Sequence, residues 1–181
     1  MLSRSTRRPG VTTWALVLPR KTGPQSDVSS DAGRKLPGLA TYMPLLRMTM
    51  YSKGIQLYCA PTADDRDTWL STMQHVALEG RCFVFTACQH LRRGDCPAEY
   101  AAIQGDEPGT VIMRGGSAII SPLGRVLAGP LYEENGILTA EIDLGEIARS
   151  KYDFDVVGHY ARPDVFQLHV NEKPARPVVS D

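Results

Sequence analysis

Apolar side chains recur along residues 42–53 at Tyr42, Leu45, Leu46, Thr49 and Met50, the spacing of one helix face. Pro44 fits the first turn of such a helix, where its missing N–H costs nothing, and Gly54 fits the position just past the end. Residues 55–60 then form a short apolar run, the signature of a buried strand. A polar stretch follows at 61–67, with Asp67 suited to cap the next helix. Residues 68–79 return to helical spacing, with Trp69, Met73, Val76 and Ala77 on one face and Gly80 as the stop. Residues 82–88 form a second apolar run.

Beyond this point the pattern changes. Residues 89–113 make a long polar connection containing Pro97, Gly105 and Pro108, and connections of that length are usually functional or mobile. Residues 117–121 and 126–129 flank Pro122-Leu123-Gly124 as strand, turn and strand. A further strand is predicted at 136–142, where apolar and polar residues alternate, and a short helix from Asp143 or Gly145 to Ser150. Residues 159–181, with Pro163, Pro174 and Pro177, read as an extended tail. Two strand–helix units followed by a hairpin predict a layered α/β domain.

Residues 1–38 lack this periodicity and are rich in Arg, Ser, Thr, Pro and Gly, so they read as a disordered head unrelated to the rest. The charge supports that division. Residues 1–35 carry seven bases against two acids; the remainder carries thirteen against eighteen. The organisation read from the sequence is therefore a head at 1–38, one domain at 39–172 and a flexible tail at 173–181. The break falls inside a motif, which points to a rearranged or frame-shifted gene more than to a transit peptide. A net charge of zero argues against a nucleic-acid partner held through phosphates. No apolar run approaches the roughly 20 residues of a membrane helix, so no membrane partner is expected. Without a secretory signal, the four cysteines are expected as reduced thiols in a cytoplasmic protein.

The candidate chemistry is sparse. Cys59, Cys82 and Cys88 lie in apolar strands, where a cysteine acts as a small hydrophobe. Cys96 sits in the polar connection and is the most exposed thiol by context, but a carboxylate beside it, Asp95, disfavours a thiolate. Glu133-Glu134 precede Asn135-Gly136 and read as a solvated hairpin end, because neighbouring strand residues face opposite ways. Asp64, Asp65, Arg66 and Asp67 follow a strand, and sites in α/β folds lie beyond the carboxyl ends of strands. His75, His90, His159 and His169 show no metal-ligand spacing, so no metal is expected. Gly115-Gly116 lack the following Lys-Ser or Lys-Thr of a phosphate loop. No cofactor is implied.

Four strings occur in order: CAPTADDRDTW from Cys59, ALEGRCFV from Ala77, GGSAIISPLGRVLAGP from Gly115 and DFDVVGHYARPDVFQL from Asp153. They are preceded by YMPLLR from Tyr42. Together they resemble the nitrilase branch of the carbon–nitrogen hydrolases, in its C-terminal portion, over residues 42–172. The resemblance implies part of an α-β-β-α sandwich. It implies hydrolysis of a nitrile to a carboxylic acid plus ammonia by a cysteine nucleophile, two glutamates and a lysine. In that family YMPLLR is preceded by C-W-E-N; here Gly38-Leu39-Ala40-Thr41 stand in its place, so the nucleophile position falls on Gly38. Residues 1–37 hold no glutamate. The resemblance places Tyr42, Thr62, Ala63 and Asp64 along the substrate pocket. It makes the helices at 42–53 and 68–79 a subunit-pairing unit, so the expected partners are a second copy or other nitrilase subunits. The expected outcome is a truncated nitrilase-type hydrolase, inactive alone; the alternatives are an interaction protein or a non-functional gene fragment.

Overall fold

The computed structural model describes residues 2–8, 11–17, 41–99 and 101–171, the first two stretches as backbone. The elements are β1 (Leu2–Arg8), β2 (Val11–Val17), α1 (Pro44–Ser52), β3 (Leu57–Thr62), α2 (Asp67–Gly80), β4 (Phe83–Cys88), β5 (His90–Arg92), β6 (Val111–Ile120), β7 (Val126–Tyr132), β8 (Ile137–Ile142) and α3 (Gly145–Asp153). One sheet has the order β3-β4-β6-β5, with β7 also paired to β6; a second joins β1, β2 and β8. Strands β3 and β4 are parallel, in register from Leu57 opposite Phe83 to Thr62 opposite Cys88. The β4–β6 and β6–β7 pairs are antiparallel.

Strand β4 is buried on both faces, which is why residues 82–88 read as an unbroken apolar run. On one face Val84 joins Tyr58, Ala60, Ala118 and Ile120 beneath Tyr51 of α1 and Trp69, Met73, Val76 and Ala77 of α2. On the other, Phe83, Phe85 and Ile119 meet Ile142 of β8 and Ile147 of α3, with Leu138 and Ala140 packed alongside. The result is a helix layer, a sheet, and a second layer built from β8 and α3. This is the partial layered sandwich that the sequence implies.

The helix pair is knitted more closely than its periodicity predicts. Gly80 is the last residue of α2 and not its stop. The reversal falls on Arg81, a non-glycine residue at φ 46°. A Cβ at Gly80 would fall inside the ring of Tyr51, so glycine is needed there for close helix approach. Arg81 is held in its left-handed conformation by an ion pair to Asp153 at 2.6 Å and by its guanidinium stacked over Phe154. Gly54, at φ 71°, does end α1, its N–H donating to the Tyr51 carbonyl.

Other expectations need correction. The apolar stripe of α1 faces the core only in part: Met50 packs against it and Leu46 is half-buried. Arg47 and Tyr51 are its buried residues, and Leu45 is 64% exposed. The reason is a polar clasp: Arg47 Nε donates to Glu79 at 2.7 Å, Tyr51 Oη donates to the same carboxylate at 2.9 Å, and Arg47 Nη1 reaches the Thr41 carbonyl. The connection at 89–113 is not featureless. It contains β5, a 3₁₀ turn at Arg93–Asp95 and the first residues of β6. Strands β1 and β2 pair with each other, and β2 pairs with β8; the β-branched run Val11-Thr12-Thr13 favours a strand there. Residues 18–40 and the tail at 173–181 lie outside the described residues. Among the described residues no helix is long and apolar enough to cross a membrane.

Candidate functional site

Parallel β3 and β4 end on the same side of the sheet, at Thr62 and Cys88. The loop 63–66 rises from there and leads into α2. This is where a layered α/β fold gathers ligand-binding groups. Its first lock is local. The Thr62 hydroxyl accepts from the Asp64 amide at 2.9 Å. The Asp64 carboxylate accepts from Arg66 Nε at 2.8 Å and from the Tyr42 hydroxyl at 2.7 Å. Tyr42 in turn sets its ring edge-on against Trp69, centroids 5.5 Å apart. Trp69 is fixed beneath by its Nε1–H donating to Thr86 Oγ1 at 2.7 Å, inside the core. Three of the four pocket residues named from the sequence, Tyr42, Thr62 and Asp64, are thus one connected group. Ala63 sits between them and is exposed. Gly38 lies outside the described residues.

The second lock comes from β6 and was not read from the sequence. The Arg114 amide donates to Asp65 Oδ2 at 2.9 Å, and its Nε donates to the Asp65 carbonyl at 2.7 Å. Its far end pairs with Asp67, while its guanidinium lies 4.6 Å from the centre of the Tyr132 ring. Asp67 therefore does not cap α2: Arg66 holds the cap position and Asp67 is the first helical residue. No spacing rule links Arg114 to residues 65–67, because the contact depends on the sheet bringing β6 beside α2.

These acids are counter-charges. The Arg66 guanidinium, helped by the Tyr42 hydroxyl, holds the Asp64 carboxyl far below the usual carboxylate range. Burial and the adjacent Asp64 carboxylate push the Tyr42 hydroxyl up. A carboxylate so firmly ionised is a poor proton donor and a weak base at neutral pH. The arrangement fixes the shape and polarity of the loop.

The thiols do not compensate. Burial pushes Cys59 up. Cys82 and Cys88 are pushed to about 12, Cys82 by burial and Cys88 by burial together with Asp65 and Asp64. Cys88 lies nearest the loop, its Sγ 3.6 Å from the Asp64 carbonyl, and its backbone N–H and C=O are both bonded to the Ser117 hydroxyl. Nucleophilic sulfur chemistry needs the thiolate, and these three environments oppose it. Cys96 lies on the 3₁₀ turn, its Sγ 3.8 Å from the Arg92 carbonyl. Glu133 and Glu134 are exposed at the end of β7. His75 lies 3.8 Å from Glu79 on the outside of α2, and both ring nitrogens of His90 are buried without a hydrogen-bond partner. Among the described residues no three His, Cys, Asp or Glu side chains converge as a metal site would require.

Residues 39–152 match the family model described as carbon-nitrogen hydrolase. The chain is a member of the carbon-nitrogen hydrolase family. The match begins at the residue after Gly38. A nitrilase of Bradyrhizobium diazoefficiens is 67% identical over 137 residues, 76% of this chain and 43% of that protein. An aliphatic nitrilase of Sinorhizobium fredii is 61% identical over 139 residues, 77% of this chain and 45% of its own length. An arylacetonitrilase of Trametes versicolor is 54% identical over 136 residues, 74% and 42% respectively. The chain thus spans less than half the length of these curated relatives. Among solved structures, the C. elegans NitFhit protein superposes with a TM-score of 0.58 at 25% identity, over 77% of this chain and 31% of that one. A carbon-nitrogen hydrolase of Helicobacter pylori superposes at 0.54 and 18% identity, over 71% and 45%, and shares the fold. Among the described residues the fold is therefore that of the carbon-nitrogen hydrolase family.

Proposed function

We propose that this chain carries one wall of a nitrilase-type substrate pocket, formed by Tyr42, Thr62, Ala63 and Asp64, and that the 181-residue chain does not itself hydrolyse a nitrile. The observation that carries this reading is the glycine at position 38, four residues before the Tyr42 that opens the YMPLLR string, where the family resemblance calls for the cysteine. Covalent hydrolysis needs a nucleophile with an activating base in reach. Position 38 supplies no side chain, residues 1–37 supply no glutamate, and burial holds Cys59, Cys82 and Cys88 as thiols. The substrate class of the pocket is a small organic nitrile. The test is ammonia release from a panel of aliphatic, aryl and arylaceto nitriles, with a full-length nitrilase as positive control. Release at background supports the reading; release above background overturns it.

A second role is favoured by the exposed apolar residues at and just before the start of α1. With Leu45 64% and Met43 56% exposed beside a half-exposed Tyr42 ring, the helix layer presents a surface suited to pairing with another subunit of its own kind. The role is an interaction module that pairs with a second copy or with a nitrilase subunit. Light scattering at micromolar concentration tests it: a dimer or larger species is expected, and a stable monomer would contradict it.

A further inference from the structure

Strands β7 and β8 follow one another in the chain but lie in different sheets: β7 pairs with β6, and β8 pairs with β2. The residues that join them, Glu133, Glu134, Asn135 and Gly136, therefore cross from one sheet to the other. An Asn-Gly pair between strands is the ordinary sign of a two-residue hairpin with positive φ at both residues. Here the two strands do not pair, and neither Asn135 nor Gly136 has positive φ; the left-handed residue of the link is Glu133, at φ 61°.

Glycine at 136 has a packing reason, since a Cβ there would meet Leu131 Cδ2 at 3.1 Å. Asparagine at 135 has none. It is exposed, and among the described residues its side chain has no hydrogen-bond partner. The Gly136 N–H likewise donates to no described group. The side-chain amide carbon of one residue and the backbone nitrogen of the next are thus both unengaged. They are held together by the chain itself, so their reaction needs no encounter. Glycine adds no side chain to shield its nitrogen.

We propose that Asn135-Gly136 is a self-modifying site, at which the asparagine amide is lost as ammonia. The Gly136 nitrogen attacks Asn135 Cγ. A bond forms between them, the bond from Cγ to the side-chain nitrogen breaks, and the Gly136 proton leaves with that nitrogen as ammonia. Water then opens the resulting cyclic imide at either carbonyl. One opening gives aspartate; the other gives isoaspartate, in which the main chain runs through the side-chain carbon. One asparagine and one water become one carboxyl-bearing residue and one ammonia, and no other reactant is needed.

The site adjoins a structural seam. Ile137, the next residue, opens β8 opposite Val17, and Leu138 packs on the core of Phe83, Phe85 and Ile119. The isoaspartyl form lengthens the link by one backbone atom and sets a new negative charge beside Glu133 and Glu134. Conversion therefore loosens the start of β8 and leaves the helix layer untouched. Its ammonia amounts to one per chain and needs no nitrile, so a nitrile-free control separates it from the hydrolysis considered above.

The test incubates the full chain at mildly alkaline pH without nitrile. Residue 135 is followed by peptide mass mapping and by an isoaspartyl-specific methyl-acceptor assay. Asn171, the chain's other asparagine, precedes Glu172 and serves as internal control. The wild type is expected to exchange amide for carboxyl at 135, with isoaspartate present, to leave 171 intact, and to release ammonia that levels off at one equivalent. Asn135→Gln, which would need a larger ring, is expected to release none and to melt as the fresh wild type does. Hydrogen exchange at residues 137–140 should quicken in the converted wild type and stay unchanged in Asn135→Gln. An intact residue 135 in the folded chain would overturn the proposal, as would equal conversion at 171. Unchanged exchange after conversion would overturn the effect on β8.

Discussion

At the scale of single residues, the loop 62–67 owes its shape to two arginines on separate elements. Arg66 holds Asp64 from within the loop, and Arg114 holds Asp65 and Asp67 from β6. The outer Arg114–Asp67 pair is exposed and worth little; the bond to the Asp65 carbonyl replaces a partner that this backbone group would otherwise lack. Arg114→Ala is therefore expected to lower global stability by about 1 kcal/mol while greatly accelerating amide exchange at residues 64–67. Hydrogen exchange read by mass spectrometry checks this, and unchanged protection in the loop would count against the lock. Gly80→Ala tests a different kind of constraint. The added methyl meets the Tyr51 ring, so a loss of about 1–3 kcal/mol is expected in place of the gain that helix propensity alone would bring. Urea denaturation distinguishes the two signs.

At the scale of elements, the α1–α2 clasp has a pH dependence. Burial pushes the Glu79 carboxyl up, but hydrogen bonds from Arg47 and Tyr51 outweigh it and hold the group below its ordinary value. A folded-state pKa below the unfolded one means that the carboxylate stabilises the fold above about pH 4.3. The contribution fades as pH falls through the folded-state value. Glu79→Gln should cost about 2 kcal/mol at neutral pH, and its deficit should shrink below about pH 4. Denaturation curves at several pH values measure this; a deficit independent of pH would contradict it. The same helices show what could be read from sequence. The α2 face of Trp69, Met73, Val76 and Ala77 was legible because a helix covering a sheet must turn its apolar residues inward. The buried face of α1 was not, because it is built on an arginine whose partner lies 32 residues away. Strand β5 and the first part of β6 were hidden for a related reason: Val111 to Gly116 mixes apolar, basic and glycine residues whose register is set by pairing. Asp64 stood out by its place beyond the end of a strand, but Tyr42 and Thr62 joined it only through the family resemblance, since no spacing rule marks the three as a group. Arg114 left no local signal at all.

At the scale of the whole molecule, the chain joins the family's fold to a glycine at position 38, where the family resemblance calls for a cysteine. The described part holds the helix layer, the parallel β3–β4 pair and the loop that overhangs their ends, which we propose form one wall of a substrate pocket. Position 38 carries glycine, and the three strand cysteines are kept protonated by burial. On the proposed reading a thiol restored at position 38 would still need the activating glutamates and lysine that the family resemblance calls for. The most direct measurement is ammonia release from a nitrile panel by the wild-type chain, Gly38→Cys, Cys59→Ala and Cys96→Ala, beside a full-length nitrilase. Background release from all four chains is expected. Release by the wild type that disappears in Cys59→Ala or Cys96→Ala would show a relocated nucleophile, and release by Gly38→Cys alone would show that its activating groups are present; either result would contradict the account.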